Sequence, residues 1–288
     1  MLQVARLAPE VLGEAKEFVR DFIHSKQSPD GGFQNREGKS DLYYSVFGIE
    51  SLLALREPLP ATSLKVYLQQ FDTGQTLDFV SLTSLIRCRA CLHDIWRNKD
   101  EIHRVTHALE RYRSRDGGYS VSPQESEGTA YGCFLALGAY QDLELEVPDS
   151  AALTACIHTL RSEDGAFSNL SGQPVGMTTV TAAAVSVLHA LEQPVPSGTA
   201  DWLLGQFHQE GGFFPFPDAP LPDLLSTATA LHALEHLHVP LAPIQEACLD
   251  FLDSLWCNRG GFYGHWADDA IDCEYTYYGL LSLGHLSL

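Results

Sequence analysis

The sequence predicts an all-α protein whose fold class is an (α/α)6 toroid, a double-layered α-helical barrel built from six helix-pair repeats. Three observations predict this fold. A glycine-aromatic motif returns at a regular interval, each interval contains two helical segments of different character, and no β-strand pattern of comparable strength is found. The predicted barrel is a single domain that spans residues 1–288.

A Gly-Gly-aromatic motif or a near variant divides the chain. It begins at residues 31, 117, 165, 211 and 260, and the first interval is about twice as long as the others. A degenerate copy is therefore expected midway through that interval, where the sequence has Phe71-Asp72-Thr73-Gly74-Gln75. Glycine loops near residues 31, 74, 117, 165, 211 and 260 then define six units of roughly 45 residues, which is typical of a repeat architecture.

Each unit begins with an amphipathic helix and continues, after its glycine loop, with a helix that is almost wholly apolar. The clearest first helices are predicted at 14–23, 151–160 and 244–255, and second helices are predicted at 46–55, 129–137, 179–191, 226–234 and 276–283. An amphipathic helix fits an outer layer, whereas an apolar helix rich in alanine fits a crowded inner layer. Proline-rich joints at 58–60, 194–196 and 240–243 separate the units.

Composition excludes several classes of function. The chain has 18 basic and 37 acidic residues, so its net charge of −19 disfavours binding to nucleic acid or to an anionic lipid surface. No apolar run is long enough to span a membrane, and the N-terminus becomes charged too early for a secretory signal. Seven cysteines lie mostly in apolar helical stretches, which indicates reduced thiols and a cytoplasmic protein.

The Gly-Gly-Phe motifs and their following apolar helices resemble the repeats of the prenyltransferase and squalene–hopene cyclase superfamily. The resemblance covers almost the full chain, and the single-toroid length is most similar to the β subunit of protein prenyltransferases. Two other toroid groups share the layout. The Gly-Cys-Gly-Glu-Gln motif of complement-like thioester domains is missing from the sequence, and carbohydrate-active (α/α)6 barrels usually lack the Gly-Gly-Phe repeat.

For a protein prenyltransferase the resemblance implies a zinc ion held by Asp, Cys and His at the starts of inner helices. Asp223 matches the Asp position in repeat five, but Leu225 stands at the Cys position. Repeat six keeps Asp272 and Thr276, but Tyr275 stands at the His position. Two of the three ligands are missing in register, so no metal site is predicted there, although Mg²⁺ or Zn²⁺ stays open as a cofactor.

Repeat one resembles the diphosphate-binding repeat of the same family. Arg36 and Lys39 match its diphosphate-binding bases, Asp41 its zinc aspartate and Tyr44 its diphosphate-contacting tyrosine, while Tyr43 stands at the cysteine position. These side chains are predicted to bind the diphosphate of a prenyl substrate or another anion. The alternative is a solvated loop in which the two cations pair with neighbouring carboxylates.

Repeat six resembles the Asp-x-Asp-Asp-Thr motif with which class II terpene cyclases protonate an alkene. Asp272 and Glu274 are the candidate catalytic residues, because burial and a neighbouring carboxylate can raise the pKa of Glu274 and keep a proton available. Trp266, Tyr275 and Tyr278 are predicted to contact the hydrocarbon and to stabilise a carbocation. The alternative is a capped helix start with aromatic side chains packed into the barrel wall.

The histidines form no catalytic pattern. A metal bound by His265, Asp268 and Asp272 fits no standard ligand spacing. His232, His236 and His238 cluster at the end of the repeat-five helix, where surface histidines are the simpler interpretation.

Three functions follow from these observations. The first is an isoprenoid-handling enzyme that transfers or cyclises a prenyl group in an apolar central cavity. The second is a non-catalytic toroid that binds a lipid, a peptide or a helical partner subunit. The third is a carbohydrate-active barrel that uses paired carboxylates as acid and base.

Overall fold

Six helices of thirteen residues form the inner wall of the protein. The structure, a computed structural model, describes residues 1–96 and 98–288. The inner helices are α4 (Leu42–Ala54), α6 (Phe79–Cys91), α8 (Ala130–Asp142), α10 (Thr178–Ala190), α12 (Leu224–His236) and α14 (Cys273–His285). Each packs against the next along the chain, and α14 packs against α4, so that the ring is closed. We call the space that these helices enclose the lumen.

An outer helix precedes each inner helix. The outer helices are α3 (Ala15–Ser25), α5 (Ala61–Gln69), α7 (Lys99–Glu110), α9 (Ser150–Thr159), α11 (Thr199–Gly205) and α13 (Gln245–Leu255). The predicted all-α toroid of six helix pairs is confirmed. Two short helices that the sequence analysis did not predict, α1 (Leu2–Ala5) and α2 (Ala8–Leu12), pack against α14. In the described residues no helix has the length and apolar character that a membrane span requires.

Two small hairpins lie next to the glycine loops of the first and last repeats. Strands β1 (Phe33–Gln34) and β2 (Ser40–Asp41) pair antiparallel, as do β3 (Trp256–Cys257) and β4 (Gly261–Phe262). Strands of two residues are too short to show the alternating pattern from which strands are predicted.

Three of the five predicted inner helices, those of repeats one, five and six, begin two to four residues late, and capping explains why. The side chains of Asp41, Asp78, Asp223 and Asp272 each accept a hydrogen bond from the backbone N–H three residues later, so helices α4, α6, α12 and α14 begin directly after them. The predicted starts lay at the first apolar stretch instead. In repeat three the cap is Thr129, whose hydroxyl accepts from the backbone N–H of Gly132 at 2.9 Å.

A hydroxyl four residues after the cap ties the glycine loop to the inner helix. Ser45 Oγ accepts from the backbone N–H of Phe33 at 2.9 Å, and the same bond joins Thr227 to Phe213. These aromatic side chains are fully buried between the two layers of the barrel. The acid and the hydroxyl residue of this sequence pattern are thus needed to cap the helix and to hold the glycine loop. Other side chains of the first helical turn can then face the lumen.

Candidate functional site

The lumen opens at the end of the barrel where the inner helices begin. The residues two positions after each helix cap are all half-buried there, and we call them the mouth ring: Tyr43, Val80, Tyr131, Thr179, Leu225 and Glu274. Burial, and then the charge of Glu274, raises the pKa of Tyr131, although α8 and α14 lie on opposite sides of the ring. Tyr131 therefore lies near enough to Glu274 to be affected by its charge.

One carboxyl group of the mouth ring is held by a tyrosine. The hydroxyl of Tyr43 donates to Glu274 Oε1 at 2.6 Å, which joins α4 to α14. Burial raises the pKa of Glu274 to about 7, and the bond from Tyr43 limits the increase because it stabilises the carboxylate. A protonated Glu274 is therefore well populated at neutral pH.

Aromatic side chains form the wall below this carboxyl group. Phe47, one turn after Tyr43, has its ring centroid 4.9 Å from that of Tyr43 and 5.5 Å from that of Tyr278. Tyr278 lies one turn after Glu274 and keeps part of its surface accessible, whereas Tyr277 is buried in the wall. Such π faces stabilise a cation more than a saturated wall does.

Arg36 meets the acidic residues of repeat six. Its Nε donates to Asp272 Oδ2 at 2.6 Å, while Nη2 and Nη1 donate to the two oxygens of Asp268 at 2.8 and 3.2 Å. The guanidinium also lies over the ring of Tyr275, 5.3 Å from its centroid. Burial alone would raise the pKa of Asp268, but the bonds from Arg36 and from two backbone N–H groups lower it. Arg36 therefore joins the first repeat to the last.

Replacing Arg36 with alanine is expected to lower the free energy of unfolding by about 2–3 kcal/mol, because two nearly buried carboxylates lose their cation. The side chains of Asp268 and Asp272 are only 8% and 3% exposed. Lys39→Ala is the matched control, since Lys39 forms an exposed pair with Glu37 and its loss is expected to cost at most about 0.5 kcal/mol.

Urea unfolding at several pH values tests this expectation. The folded pKa of Asp268 is lowered, so the stabilisation is present at neutral pH and is lost as the pH falls through that pKa. The difference between Arg36→Ala and the wild type should therefore shrink near pH 3. Equal losses in Arg36→Ala and Lys39→Ala would contradict the assignment.

The remaining predicted site residues are separated. Lys39 is exposed and pairs with Glu37 at 2.9 Å, and Asp41 is used as the cap of α4. Tyr44 lies near Asp272, and burial, followed by the nearby acids, raises its pKa to about 12. Trp266 lies outside the mouth ring, where its Nε1 donates to Ser254 and its ring packs against Phe251. The structure does not bring Lys39 or Trp266 to the Tyr43–Glu274 pair.

A cleft of about 420 Å³ adjoins Arg36 on the outer side, between repeats one and six. Besides Arg36 it is lined by Lys26, from the end of α3, and by Arg259, from the glycine loop of repeat six. Neither cation was predicted as a site residue. Lys26 lies ten residues before Arg36, and Arg259 directly precedes the Gly260-Gly261-Phe262 motif, but only the closure of the ring brings the three together.

The residues at the mouth do not fit the zinc site of protein prenyltransferases. Asp223 caps α12 and bonds to Ser226, while Leu225 and Tyr275 offer no thiolate or imidazole. Asp272 is occupied by Arg36 and by the backbone N–H of Tyr275. His265 Nδ1 accepts from the backbone N–H of Ala267, and Asp268 and Asp272 are paired with Arg36.

Comparisons with known proteins agree with this architecture. A family model described as "Prenyltransferase alpha-alpha toroid domain" matches residues 10–80, 71–194 and 175–287. No curated protein matches the sequence.

Solved structures share the fold at low identity. Protein geranylgeranyltransferase-I of Candida albicans, complexed with GGPP, is 15% identical with a TM-score of 0.69, over 93% of this chain and 90% of that chain. The type II terpene cyclase MstE from Scytonema, in its apo form, is 11% identical with a TM-score of 0.60, over 96% and 97% of the two chains. A variant of MstE in complex with geranylgeranyl dihydroxybenzoate is 12% identical with a TM-score of 0.59, over 97% of each chain.

Proposed function

Because the chain belongs to the prenyltransferase alpha-alpha toroid domain family, we propose that it binds an isoprenoid in its lumen and starts a cyclisation by protonating an alkene. Glu274 is the proposed acid. The observation that carries the proposal is a carboxyl group at the lumen with a pKa of about 7, held by Tyr43 and surrounded by aromatic side chains.

The Tyr43–Glu274 bond assigns a role to each oxygen of the carboxyl group. Tyr43 donates to Oε1, so in the neutral acid the proton is carried by Oε2. Transfer of this proton to one alkene carbon leaves a carbocation on the neighbouring carbon and a carboxylate on Glu274. The bond from Tyr43 stabilises that carboxylate, and Phe47 and Tyr278 lie where they can stabilise the cation. Loss of a proton from the cyclised cation, or capture by water, completes the reaction, and Glu274 regains its proton from solvent.

Two other reactions are less well supported. Zinc-dependent transfer to a thiol lacks ligands, since Leu225 and Tyr275 stand at the family's Cys and His positions. An acid–base pair of the glycosidase type needs two facing carboxyl groups, but Glu274 is the one acid of the six mouth-ring residues.

The depth of the apolar wall predicts a preference among substrates. Beyond the aromatic side chains, the wall becomes charged. Arg87 on α6 pairs with Glu50 on α4 at 3.8 Å and with Asp142 on α8 at 2.9 Å. Tyr43 and Glu50 are seven residues apart on one helix, so the apolar section is about 10 Å deep. A short or folded isoprenoid fits this depth better than a long extended one.

Incubation with prenyl diphosphates of increasing length, with and without Zn²⁺ or Mg²⁺, tests the proposal. We expect turnover to be highest with the shortest chains that contain at least two alkenes and to need no Zn²⁺. The cyclised products should retain the diphosphate and have the mass of the substrate, or of the substrate plus one water. Release of diphosphate in a Zn²⁺-dependent reaction would indicate transfer instead. Binding without turnover would indicate an isoprenoid carrier. If the protein binds no isoprenoid, then cyclisation, prenyl transfer and isoprenoid carriage are all excluded.

A further inference from the structure

A group of imidazoles occupies the end of the lumen opposite the mouth. His232 and His236 lie on successive turns at the end of α12, and His285 is the last residue of α14. His232 Nδ1 is 3.1 Å from His285 Nε2, and His232 Nε2 is 3.0 Å from His236 Nε2. The ring of His189, at the end of α10, stacks on His236 with centroids 3.9 Å apart. Three neighbouring inner helices thus bring histidines together.

The spacing within α12 suits a metal ion. Residues 232–236 read His-Ala-Leu-Glu-His, which places two imidazoles and one carboxylate on adjacent turns of a helix. Ligand atoms of His232, Glu235 and His236 all lie within 4.8 Å of one another, and in the part of the chain that the structure describes no other three His, Cys, Asp or Glu residues do so. Two imidazoles that bind one Zn²⁺ at about 2.0–2.1 Å in a tetrahedron have nitrogens about 3.3 Å apart, close to the observed 3.0 Å.

We propose that His232, Glu235 and His236 bind a divalent transition-metal ion, Zn²⁺ in the first place, and that His285 is a positioning residue for His232. In this arrangement the ion is bound by the Nε2 atoms of the two histidines and by a water, and the Glu235 carboxylate, which lies 3.6 Å from His236 Nδ1, moves to complete the tetrahedron. His232 Nδ1–H then donates to His285 Nε2, which fixes the ring orientation in the way typical of histidine ligands.

A chain of hydrogen bonds among neutral histidines does not account for the whole group. Such a chain can link His232 to His285 and to His236 at the observed distances. It gives no role, however, to Glu235, whose carboxylate lies 3.6 Å from His236 Nδ1 and keeps the site open to solvent. Bound metal would tie these residues together at the end of the barrel.

Titration of the metal-free protein with Zn²⁺, followed by calorimetry, tests the proposal. We expect one tight equivalent, a Tm increase of about 5 °C at a hundredfold excess over Kd, and a tetrahedral Co²⁺ spectrum in the visible range. His236→Ala should weaken binding more than about 100-fold, and His285→Phe about tenfold, with the circular dichroism of the wild type retained.

A second histidine pair provides the matched control. His103 and His107 are also four residues apart on a helix, but they are exposed on α7 and their ring centroids are 6.4 Å apart. The variant His103→Ala/His107→Ala should keep the tight equivalent and the Co²⁺ spectrum. The proposal is wrong if this control loses the tight equivalent, if folded His236→Ala keeps it, or if the wild type binds no metal. These outcomes do not depend on isoprenoid turnover.

Discussion

Replacing Glu274 with glutamine is expected to lower turnover by about 10²- to 10⁴-fold while isoprenoid binding is retained, because the amide cannot give up the proton that starts the reaction. Glutamine has the same shape and still accepts the hydrogen bond from Tyr43, so the mouth ring keeps its packing. Steady-state kinetics should show the loss in kcat rather than in KM. A variant that retains full turnover would remove Glu274 from the mechanism.

The pH profile separates an acid from a side chain that only packs. The pKa of Glu274 is about 7, so the rate should be highest below pH 7 and should fall about tenfold per pH unit well above it. In Tyr43→Phe the carboxylate loses a stabilising bond, so the descending limb should move to higher pH and the maximal rate should fall because Glu274 becomes a weaker acid. A profile that is flat from pH 6 to 9 would contradict the assignment.

Stability gives an independent measurement on the same residue. The folded pKa of Glu274 is raised from 4.5 to about 7, so its contribution to stability is fully present below pH 4.5 and is lost as the pH rises through 7. The glutamine side chain does not ionise, so the variant does not lose stability in this pH range. Glu274→Gln should therefore match the wild type in urea unfolding near pH 4 and exceed it at pH 8.5. This difference in stability is expected even if the protein does not catalyse the proposed cyclisation.

The repeat was readable from the sequence because each of its parts has a local physical cause. Glycines at fixed intervals, caps such as Asp41 and Asp272, and hydroxyls such as Ser45 all act within about fifteen residues of one another. Local causes of this kind are visible in a sequence without knowledge of the tertiary contacts. The fold class was therefore predicted correctly, although the inner-helix starts of repeats one, five and six were placed two to four residues late.

The site was harder to predict because its contacts are long-range. Tyr43 and Glu274 were each selected, but their bond joins residues 231 positions apart. Arg36 was selected as an anion-binding base, and its pairing with Asp268 and Asp272 depends on ring closure. The histidines of α12 looked like surface residues because the sequence does not show that α10 and α14 bring His189 and His285 to them.

Ring closure itself depends on a glycine. Gly260 has φ +94°, and a Cβ at this position would overlap the backbone carbonyl of Phe18 on α3. Repeats one and six are in contact at this point, and Arg36 connects the same two repeats nearby. A side chain here would therefore have to push the first outer helix away from the last repeat.

Replacing Gly260 with alanine is expected to lower the free energy of unfolding by about 4 kcal/mol, a large part of the stability of a typical domain. Gly165→Ala is the matched control: its φ of +92° is close to that of Gly260, but the nearest atom to the new Cβ is Arg161 Nη2 at 3.8 Å, so a loss of only about 1–2 kcal/mol is expected. Urea unfolding followed by circular dichroism measures both. Equal losses would mean that strain alone is responsible and that α3 moves aside at little cost. The predicted excess in Gly260→Ala would show that close contact between repeats one and six holds the barrel shut, and with it the pairing of Tyr43 on α4 with Glu274 on α14.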